Sequence, residues 1–179
     1  MKTLAFGASI SSTSINKALA TYAAHLLSDE VMETEIEVID LNDYAAPIYS
    51  SDHEKAHGIP DAAKALKEKI QSADQIIISF AEHNGSYTAA YKSIFDWMSR
   101  LEGKVYEGKP MVLLSTSPGA RGGASVMAAA EVSMPFFGAT VKATMSVGGF
   151  YDVFDLEKGE VSDAETKAQL LEALTSFKD

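Results

Sequence analysis

Cysteine is absent from this chain of 179 residues. Disulfide bonds, thiolate catalysis and metal sites with cysteine ligands are therefore excluded. Positive charge is scarce, because 15 Lys and Arg residues stand against 25 Asp and Glu residues and leave a formal net charge of -10. Nucleic acids and anionic membranes are bound through clustered Lys and Arg, so this balance argues against both as partners.

Long apolar runs are missing as well. No stretch reaches the roughly 18 to 20 apolar residues that are needed to cross a bilayer. The apolar start of the chain, residues 3–6, is too short for the core of a signal peptide and is more typical of a first strand. We therefore expect a soluble cytoplasmic protein that does not bind membranes.

The hydrophobic pattern indicates one α/β domain that spans residues 1–179. Hydrophobic residues make up 46% of the chain, which is enough to bury a full core. Short runs rich in Ile, Val, Leu or Phe predict strands at 3–6, 36–41, 75–80, 111–115 and 141–147. The segments between and after these runs predict helices at 15–28, 61–72, 87–101, 124–137 and 163–177.

Five β/α repeats predict a doubly wound parallel sheet with helices on both faces, and the length favours the five-stranded flavodoxin-like order in a three-layer sandwich. Pro60 suits the first turn of the second helix. Ser162-Asp163-Ala164-Glu165 has the form of a capping box for the last helix. The segment 42–59 is long for a connection and has three interpretations, which are a lid, a subunit contact and a flexible surface loop.

Three loops rich in Ser, Gly and Asn each follow a predicted strand and precede a predicted helix. Loop one is residues 7–16, loop two is residues 82–87 and loop three is residues 115–123. The carboxyl ends of parallel strands meet at the same edge of a sheet. The sequence therefore predicts a ligand site that is assembled from three loops.

Loop one carries hydroxyl groups at the first βα turn, which is the usual phosphate site of doubly wound folds. Its polar side chains are Ser9, Ser11, Ser12, Thr13, Ser14 and Asn16. With the free N–H groups of a helix N-terminus, they can surround a phosphate without a basic side chain. The alternative is that Ser14 only caps the helix. The chain lacks Gly-x-x-x-x-Gly-Lys-Ser/Thr and Gly-x-Gly-x-x-Gly, so a mononucleotide phosphate fits loop one best.

Loops two and three add groups that suit a flat ligand. Asn84-Gly85 predicts a tight turn that allows close approach of the backbone to a ring. His83 can stack on such a ring, and we favour this role over proton transfer. The glycines of loop three can direct successive N–H groups at an anionic or carbonyl oxygen, with Arg121 at the same edge. A tight turn from strand to helix would need similar glycines.

These motifs resemble the NADPH-dependent FMN reductases with a flavodoxin-like fold, a family that includes quinone, azo and chromate reductases. Loop one is similar to the family's Gly-Ser-x-Arg-x-x-Ser-x-Asn, loop two to its Pro-Glu-Tyr-Asn-Gly-Ser and loop three to its Ser-x-Gly-x-x-Gly-Gly. Lys92 and Asp96-Trp97 stand where the family has Lys-x-x-x-Asp-Trp, although a Trp on such a helix is more often buried in the core. The resemblance covers nearly the whole chain.

The resemblance implies that Ser9, Ser14 and Asn16 hold the phosphate of FMN. It also implies that loop two borders the isoalloxazine ring and that loop three closes its other side. No metal site and no catalytic side chain is predicted. The predicted FMN-binding residues are Ser9, Ser11, Ser14, Ile15, Asn16, Glu82, His83, Asn84, Gly85, Ser117, Pro118, Gly119 and Gly122.

The chain departs from the family's pattern at four positions. Ala8 stands where the family has Gly, Ser11 where it has Arg, Ala81 where it has Pro and His83 where it has Tyr. The change at Ser11 removes a cationic contact to the phosphate, and we expect either weaker FMN binding or binding that depends on Ser and backbone donors. The changes at Ala81 and His83 are expected to alter flavin stacking, the redox potential or access for the nicotinamide.

The resemblance implies an FMN-dependent oxidoreductase that takes hydride from NADPH or NADH and passes it to a quinone-like or other small acceptor. Two alternatives stay open: a flavodoxin-like FMN electron carrier without nicotinamide activity, and a flavin-independent hydrolase or binding module on the same fold. The family also implies a homodimer or homotetramer. The segments 42–59 and 149–151 are candidate subunit contacts.

Overall fold

The computed structural model of this protein describes residues 1–178, which build a five-stranded parallel sheet. Its strands are Lys2–Ala8 (β1), Glu35–Val38 (β2), Gln75–Phe80 (β3), Pro110–Thr116 (β6) and Thr140–Val147 (β7). Their order is β2-β1-β3-β6-β7, so the flavodoxin-like prediction is confirmed. Two small hairpins lie outside the sheet and pair Glu82–His83 (β4) with Ser86–Tyr87 (β5) and Phe154–Asp155 (β8) with Glu160–Val161 (β9).

Helices connect the strands and cover both faces of the sheet. They are Ile15–Leu26 (α1), Ser51–His57 (α2), Asp61–Ser72 (α3), Ala89–Met98 (α4), Ala124–Ser133 (α5), Phe150–Val153 (α6) and Ala164–Thr175 (α7). Helices α1 and α7 pack on one face, and α3, α4 and α5 pack on the other. None of the helices formed by residues 1–178 is both long enough and apolar enough to cross a membrane.

The central strands are apolar without interruption because both of their faces are covered. In β3, Ile76 and Ile78 point to the side of α3 and α4, whereas Ile77 points to the side of α1. The same alternation in β6 places Leu113 on the side of α3 and α4 and Leu114 on the side of α1. All five side chains are buried, which explains why the parallel strands were recognisable from composition.

The helix predicted at 87–101 is wrong at both ends. Tyr87 lies in β5, and the helix begins only after Thr88, whose hydroxyl caps α4 by accepting the Tyr91 backbone N–H at 3.2 Å. The helix ends at Met98. The first apolar residue of the predicted helix, Tyr87, therefore belongs to the β4–β5 hairpin.

Other predicted helices also differ at their ends. The helix predicted at 124–137 stops at Ser133 and continues as the 3₁₀ turn Met134–Phe137, because Pro135 has no N–H to continue an α-helix. The capping box predicted for the last helix is wrong. Its N-cap is Asp163, whose carboxylate accepts the N–H three residues further on, and Ser162 lies outside the cap. Pro60 is the residue directly before α3.

The long connection 42–59 is held against the sheet's helical layer. It contains α2, and the indole Nε1–H of Trp97 donates to the carbonyl of Pro47 at 2.6 Å. The Tyr49 ring meets the Trp97 ring edge-on at 5.0 Å. Trp97 is fully buried, so its predicted core role is confirmed.

Candidate cofactor site

The three loops meet in one cavity at the carboxyl edge of the sheet. Strands β1, β3 and β6 are neighbours, and Ala8, Phe80 and Ser115 stand at adjacent places in their register. The cavity has a volume of about 270 Å³. It is lined by Ser9, Ser11, Thr13, Ser14, Ile15, Asn16, Ala81, Glu82, His83, Thr116, Ser117, Pro118 and Tyr151.

Most of the predicted FMN-binding residues line this cavity. The predicted residues outside its lining lie further along loops two and three, and they are Asn84, Gly85, Gly119 and Gly122. The lining residues outside the predicted set are Thr13, Ala81, Thr116 and Tyr151. Thr13 and Thr116 carry hydroxyls like those of the predicted residues, but Tyr151 comes from α6, beyond the last strand, where no motif marks it.

Loop one is organised by its own hydroxyl groups. The Ser14 hydroxyl accepts the Lys17 backbone N–H at 3.1 Å and caps α1, so the capping role considered for Ser14 is confirmed. Ser9 Oγ accepts the Ser11 N–H at 3.2 Å, and Ser11 Oγ accepts the Thr13 N–H at 3.3 Å. Each hydroxyl still has its own hydrogen to donate. The loop therefore presents hydroxyl donors beside the start of a 12-residue helix.

Asn16 lies beneath the cavity and ties α1 to the ends of strands β3 and β6. Its Oδ1 accepts the Ser79 hydroxyl at 2.7 Å and the Thr116 backbone N–H at 3.0 Å. Its Nδ2 donates to the Thr116 carbonyl at 3.1 Å, and only 2% of the residue is exposed. Both acceptor positions of the amide and one of its two donor hydrogens are thus used by the protein.

Loop two forms the β4–β5 hairpin. Asn84 and Gly85 both have positive φ, 53° and 79°, which is the signature of a type I′ turn and confirms the turn predicted there. The Glu82 carboxylate accepts the backbone N–H groups of Ser125 and Val126, each at 2.9 Å. Loop two is therefore attached to the first turn of α5.

Loop three is attached to the segment that follows β7. The N–H of Gly149 donates to the Gly119 carbonyl at 3.0 Å, and the N–H of Phe150 donates to the Ser117 carbonyl at 3.2 Å. A Cβ on Gly122 would lie 2.6 Å from the carbonyl carbon of Val147, so this glycine is required for close packing of the backbone. These contacts bring Tyr151 to the cavity.

The cavity contains no cationic side chain among its described residues. Arg121 is exposed and donates to Ser125 Oγ at 3.0 Å, outside the lining. Lys17, three residues after Ser14, pairs with Asp40 at 2.5 Å. Within residues 1–178, no group of three or more His, Asp or Glu side chains could hold a metal ion. The loop-one side of the site is a cation-free cradle of hydroxyl and N–H groups, and the one carboxylate of the lining, Glu82, lies on loop two.

The Lys17–Asp40 pair is expected to make stability depend on pH. The hydrogen bond from Lys17 and the backbone N–H of Asn42 lower the pKa of Asp40 to about 2. The pKa of an Asp in the unfolded chain is about 3.9. The stabilisation that the Lys17–Asp40 pair gives the folded state is therefore fully present above about pH 4, and it is lost as the pH falls towards 2. Urea unfolding of Asp40→Asn should show lower stability than wild type at pH 7, and the difference should shrink below pH 4.

The control for this experiment is Asp43→Asn, which removes a nearby exposed carboxylate. At pH 7 it should lower the stability less than Asp40→Asn does, because the Asp43 carboxylate is exposed. An Asp40→Asn difference that stays constant between pH 7 and pH 3 would contradict the assignment.

Comparisons with known proteins agree with this geometry. The family model described as NADPH-dependent FMN reductase matches residues 1–151. The chain belongs to this family. A quinone reductase of Escherichia coli is 33% identical over 133 residues, which cover 73% of this chain and 71% of that protein. An NADPH:quinone oxidoreductase of Arabidopsis thaliana is 32% identical over 70% of this chain and 62% of that protein.

Solved structures support the same fold. FerB, a flavoenzyme NAD(P)H:(acceptor) oxidoreductase from Paracoccus denitrificans, superposes with a TM-score of 0.79 at 24% identity and covers 99% of this chain and 95% of its own. An FMN-dependent NADH-azoreductase of Bacillus anthracis, solved in complex with FMN, has a TM-score of 0.68 at 14% identity, with full coverage of both chains. At these identities the two structures establish the fold alone.

Membership of the NADPH-dependent FMN reductase family confirms several predictions together. The predicted family, FMN as cofactor and the NAD(P)H-dependent oxidoreductase class all agree with the matched family. The alternatives of an electron carrier and of a flavin-free module receive no support from these relatives.

Proposed function

We propose that this FMN reductase binds FMN in the three-loop cavity and passes hydride equivalents from NAD(P)H to a quinone-type acceptor. The observation that carries the proposal is the meeting of loops one, two and three around a hydroxyl-lined cavity at the carboxyl edge of the sheet. The acceptor class is supported by relatives whose names specify quinones, including a 2-hydroxy-1,4-benzoquinone reductase of a Burkholderia species that is 34% identical over 61% of this chain.

The cation-free cradle of loop one suits the phosphate end of FMN. Ser9, Ser11 and Ser14 offer hydroxyl donors, and the N-terminal N–H groups of α1 add a partial positive charge. Asn16 acts from below, because its hydrogen bonds to Ser79 and Thr116 fix the positions of the strand ends. We therefore assign Asn16 a positioning role towards FMN.

Loops two and three suit the isoalloxazine ring. The cavity has a volume of about 270 Å³, whereas most small-molecule sites have volumes of about 300 to 1,000 Å³. Part of the cofactor therefore has to extend over the rim of the cavity. The rim carries the predicted residues His83, Asn84, Gly85 and Gly119, all of which are exposed. An exposed ring edge leaves one face accessible to a hydride donor and then to an acceptor.

The protein's own contribution is to hold and orient. Bound FMN supplies the hydride and electron transfer chemistry itself. We assign to the backbone N–H groups around Asn84, Gly85 and Gly119 the stabilisation of negative charge on the ring. His83 lies at the edge of the cavity and provides a flat surface for the ring. Glu82 fixes loop two through α5 rather than acting as a proton acceptor.

A spectroscopic titration tests the proposed function. FMN is added to the purified protein, and the absorbance of the flavin is followed before and after anaerobic addition of NADPH or NADH. We expect a perturbed flavin spectrum that bleaches within seconds and recovers on addition of a benzoquinone. Bound flavin that stays oxidised with both nucleotides would overturn the reductase assignment, and failure of FMN to bind would overturn the site.

Restoring a cation at position 11 is expected to strengthen FMN binding. Ser11 is exposed and lines a cavity that contains no Lys or Arg. A guanidinium there can form a bidentate, charge-assisted contact with phosphate, so Ser11→Arg should lower the Kd for FMN by about tenfold. Fluorescence quenching of FMN measures the change.

Two controls isolate the charge in this experiment. Riboflavin lacks the phosphate, so its affinity should be the same for wild type and Ser11→Arg. Ser11→Gln adds length without charge and should leave the affinity for FMN near that of wild type. Equal gains for riboflavin and FMN would contradict a phosphate contact at Ser11.

We also propose that the protein is a homodimer or homotetramer. Apolar side chains line two neighbouring cavities that share Ile10, and His83 lines one of them. Ile10 is 51% exposed and Ile48 is 82% exposed. A surface of this kind next to a cofactor site is suited to burial by another subunit. Sedimentation velocity of the purified protein tests the oligomeric state. The single domain over residues 1–179 and the cytoplasmic location remain predictions.

A further inference from the structure

A second cavity adjoins the three-loop cavity on the outer side of loop one. Its volume is about 530 Å³, which is within the about 300 to 1,000 Å³ of typical small-molecule sites. The two cavities share Thr13, Ser14, Ile15 and Tyr151. The rest of the second lining is Ser12, Lys17, Ala18, Thr21, Phe154, Leu156 and Gly159. A ligand in the second cavity therefore lies directly beside FMN bound in the first.

The outer wall of the second cavity is apolar and aromatic. Tyr151 is 60% exposed and Leu156 is 56% exposed, although exposed large hydrophobic residues are few on this chain. Phe154 behind them is buried and stacks on Phe150 at 4.6 Å, so the wall is fixed by core packing. An exposed tyrosine ring on a rigid support is suited to stacking with a flat aromatic ligand.

The inner wall of the second cavity is polar. Ser12 and Thr13 bring hydroxyl groups from loop one, and Lys17 brings the only cation of the lining within the described residues. Asp40 takes one hydrogen bond from the Lys17 ammonium, which has three hydrogens to donate. The Lys17 side chain is 40% exposed, so it can still contact an anionic group. The cavity thus combines an aromatic wall with hydroxyl and cationic groups.

We propose that the second cavity binds the adenosine phosphate end of NAD(P)H, with the base against Tyr151 and Leu156 and the phosphate groups towards Lys17 and Ser12. This inference rests on the proposed function, because the nicotinamide end must reach FMN in the adjoining cavity. The lining contains no residue of loops two and three, so a ligand confined to it would not reach the flavin ring. Tyr151 lines both cavities and follows a segment that is hydrogen-bonded to loop three, so an extended dinucleotide can pass over it to a flavin ring at the rim, whereas a compact quinone in the second cavity cannot.

The location of the outer wall explains why no sequence motif marks this site. The family match ends at residue 151, and Phe154, Leu156 and Gly159 lie beyond it in and around the β8–β9 hairpin. The inner wall belongs to loop one and α1, which are inside the matched region. The hairpin therefore gives this chain its own surface for the nucleotide.

The test compares two hydride donors on a variant that changes the second cavity alone. Leu156→Glu removes the apolar contact proposed for the base and places a negative charge in the cavity that is proposed to receive the anionic nucleotide. We expect it to raise the KM for NADPH about tenfold with kcat unchanged. Reduced nicotinamide mononucleotide lacks adenosine, so its KM should be the same in the variant and in wild type. Calorimetry should show 2′,5′-ADP binding to FMN-loaded wild type and little binding to the variant.

Matched controls keep the result interpretable. Val132→Glu places the same charge on a residue that is 70% exposed and lies outside both cavities, and it should bind 2′,5′-ADP as wild type does. Ala18→Phe fills the second cavity from the α1 side and should reproduce the loss. The inference is overturned if 2′,5′-ADP does not bind wild type, or if both donors lose affinity equally in Leu156→Glu. Failure of the proposed function would give a different result, because neither NADPH nor reduced nicotinamide mononucleotide would then reduce the flavin bound to the wild-type protein.

Discussion

Replacement of Gly7 by alanine is expected to lower the free energy of unfolding by about 3 kcal/mol and to weaken FMN binding with it. A Cβ at this position would lie 2.4 Å from the Lys17 backbone nitrogen, 2.7 Å from the Lys17 Cα and 2.8 Å from the Asn16 carbonyl carbon. All three are backbone atoms, so no side chain can rotate to make room. The start of α1 would have to move away from β1, and loop one would move with it.

Urea unfolding of Gly7→Ala and of a matched glycine variant measures this effect. At Gly119 the nearest atom to an added Cβ is Ser117 Oγ at 3.9 Å, which is ordinary contact. Gly119→Ala should therefore have almost the stability of wild type. A Gly7→Ala protein with wild-type unfolding would show that the strand and the helix can separate without cost, contrary to this packing argument.

Replacement of Asn16 by alanine is expected to have a similarly large effect, about 3 kcal/mol of lost stability. The substitution leaves the buried Thr116 N–H, the Thr116 carbonyl and the Ser79 hydroxyl without their partner. The cost of an unsatisfied buried polar group is about 1 to 3 kcal/mol, and the small side chain also opens a cavity. Urea unfolding of the apoprotein measures the loss.

Urea unfolding and FMN binding, measured on the same variants, separate two roles for Asn16. In one role Asn16 only positions the strand ends, and in the other it is a direct ligand of FMN. Ser14→Ala is the comparison, since it removes a helix cap that is worth about 1 kcal/mol together with a proposed phosphate donor. We expect Ser14→Ala to lose more FMN affinity relative to its loss of stability than Asn16→Ala does. An Asn16→Ala protein of wild-type stability that fails to bind FMN would make Asn16 a direct ligand.

Much of the fold was predictable because its signals are local. Strand 75–80 and helix 61–72 agree with the structure at both ends, since an uninterrupted buried strand and an amphipathic helix each have a distinct pattern. The errors occur where tertiary contacts decide. Tyr87 fits a helical stripe, yet the Asn84–Gly85 turn and the attachment of Glu82 to α5 place it in a hairpin.

The site was predictable to the extent that parallel strands bring their carboxyl ends together. Hydroxyl-rich loop one was recognisable by its composition and by its place after β1. The hydrogen bonds of the Asn16 amide to Ser79 and Thr116 could not be predicted, because these partners are distant from Asn16 in the sequence. Tyr151 was overlooked as a site residue since its position depends on hydrogen bonds from the segment after β7 to loop three.

The attachment of Glu82 to α5 makes the two helix starts beside the cavity, those of α1 and α5, unequal as positions for an anion. Helices α1, α4 and α5 all begin at this edge of the sheet, and an anion is attracted to the start of a helix such as α1 or α5. The protein supplies its own anion to α5, because the Glu82 carboxylate already occupies the N–H groups of Ser125 and Val126. A phosphate approaching that end would meet a negative charge. This leaves the α1 start as the position we propose for the phosphate of FMN, with the ring towards loops two and three.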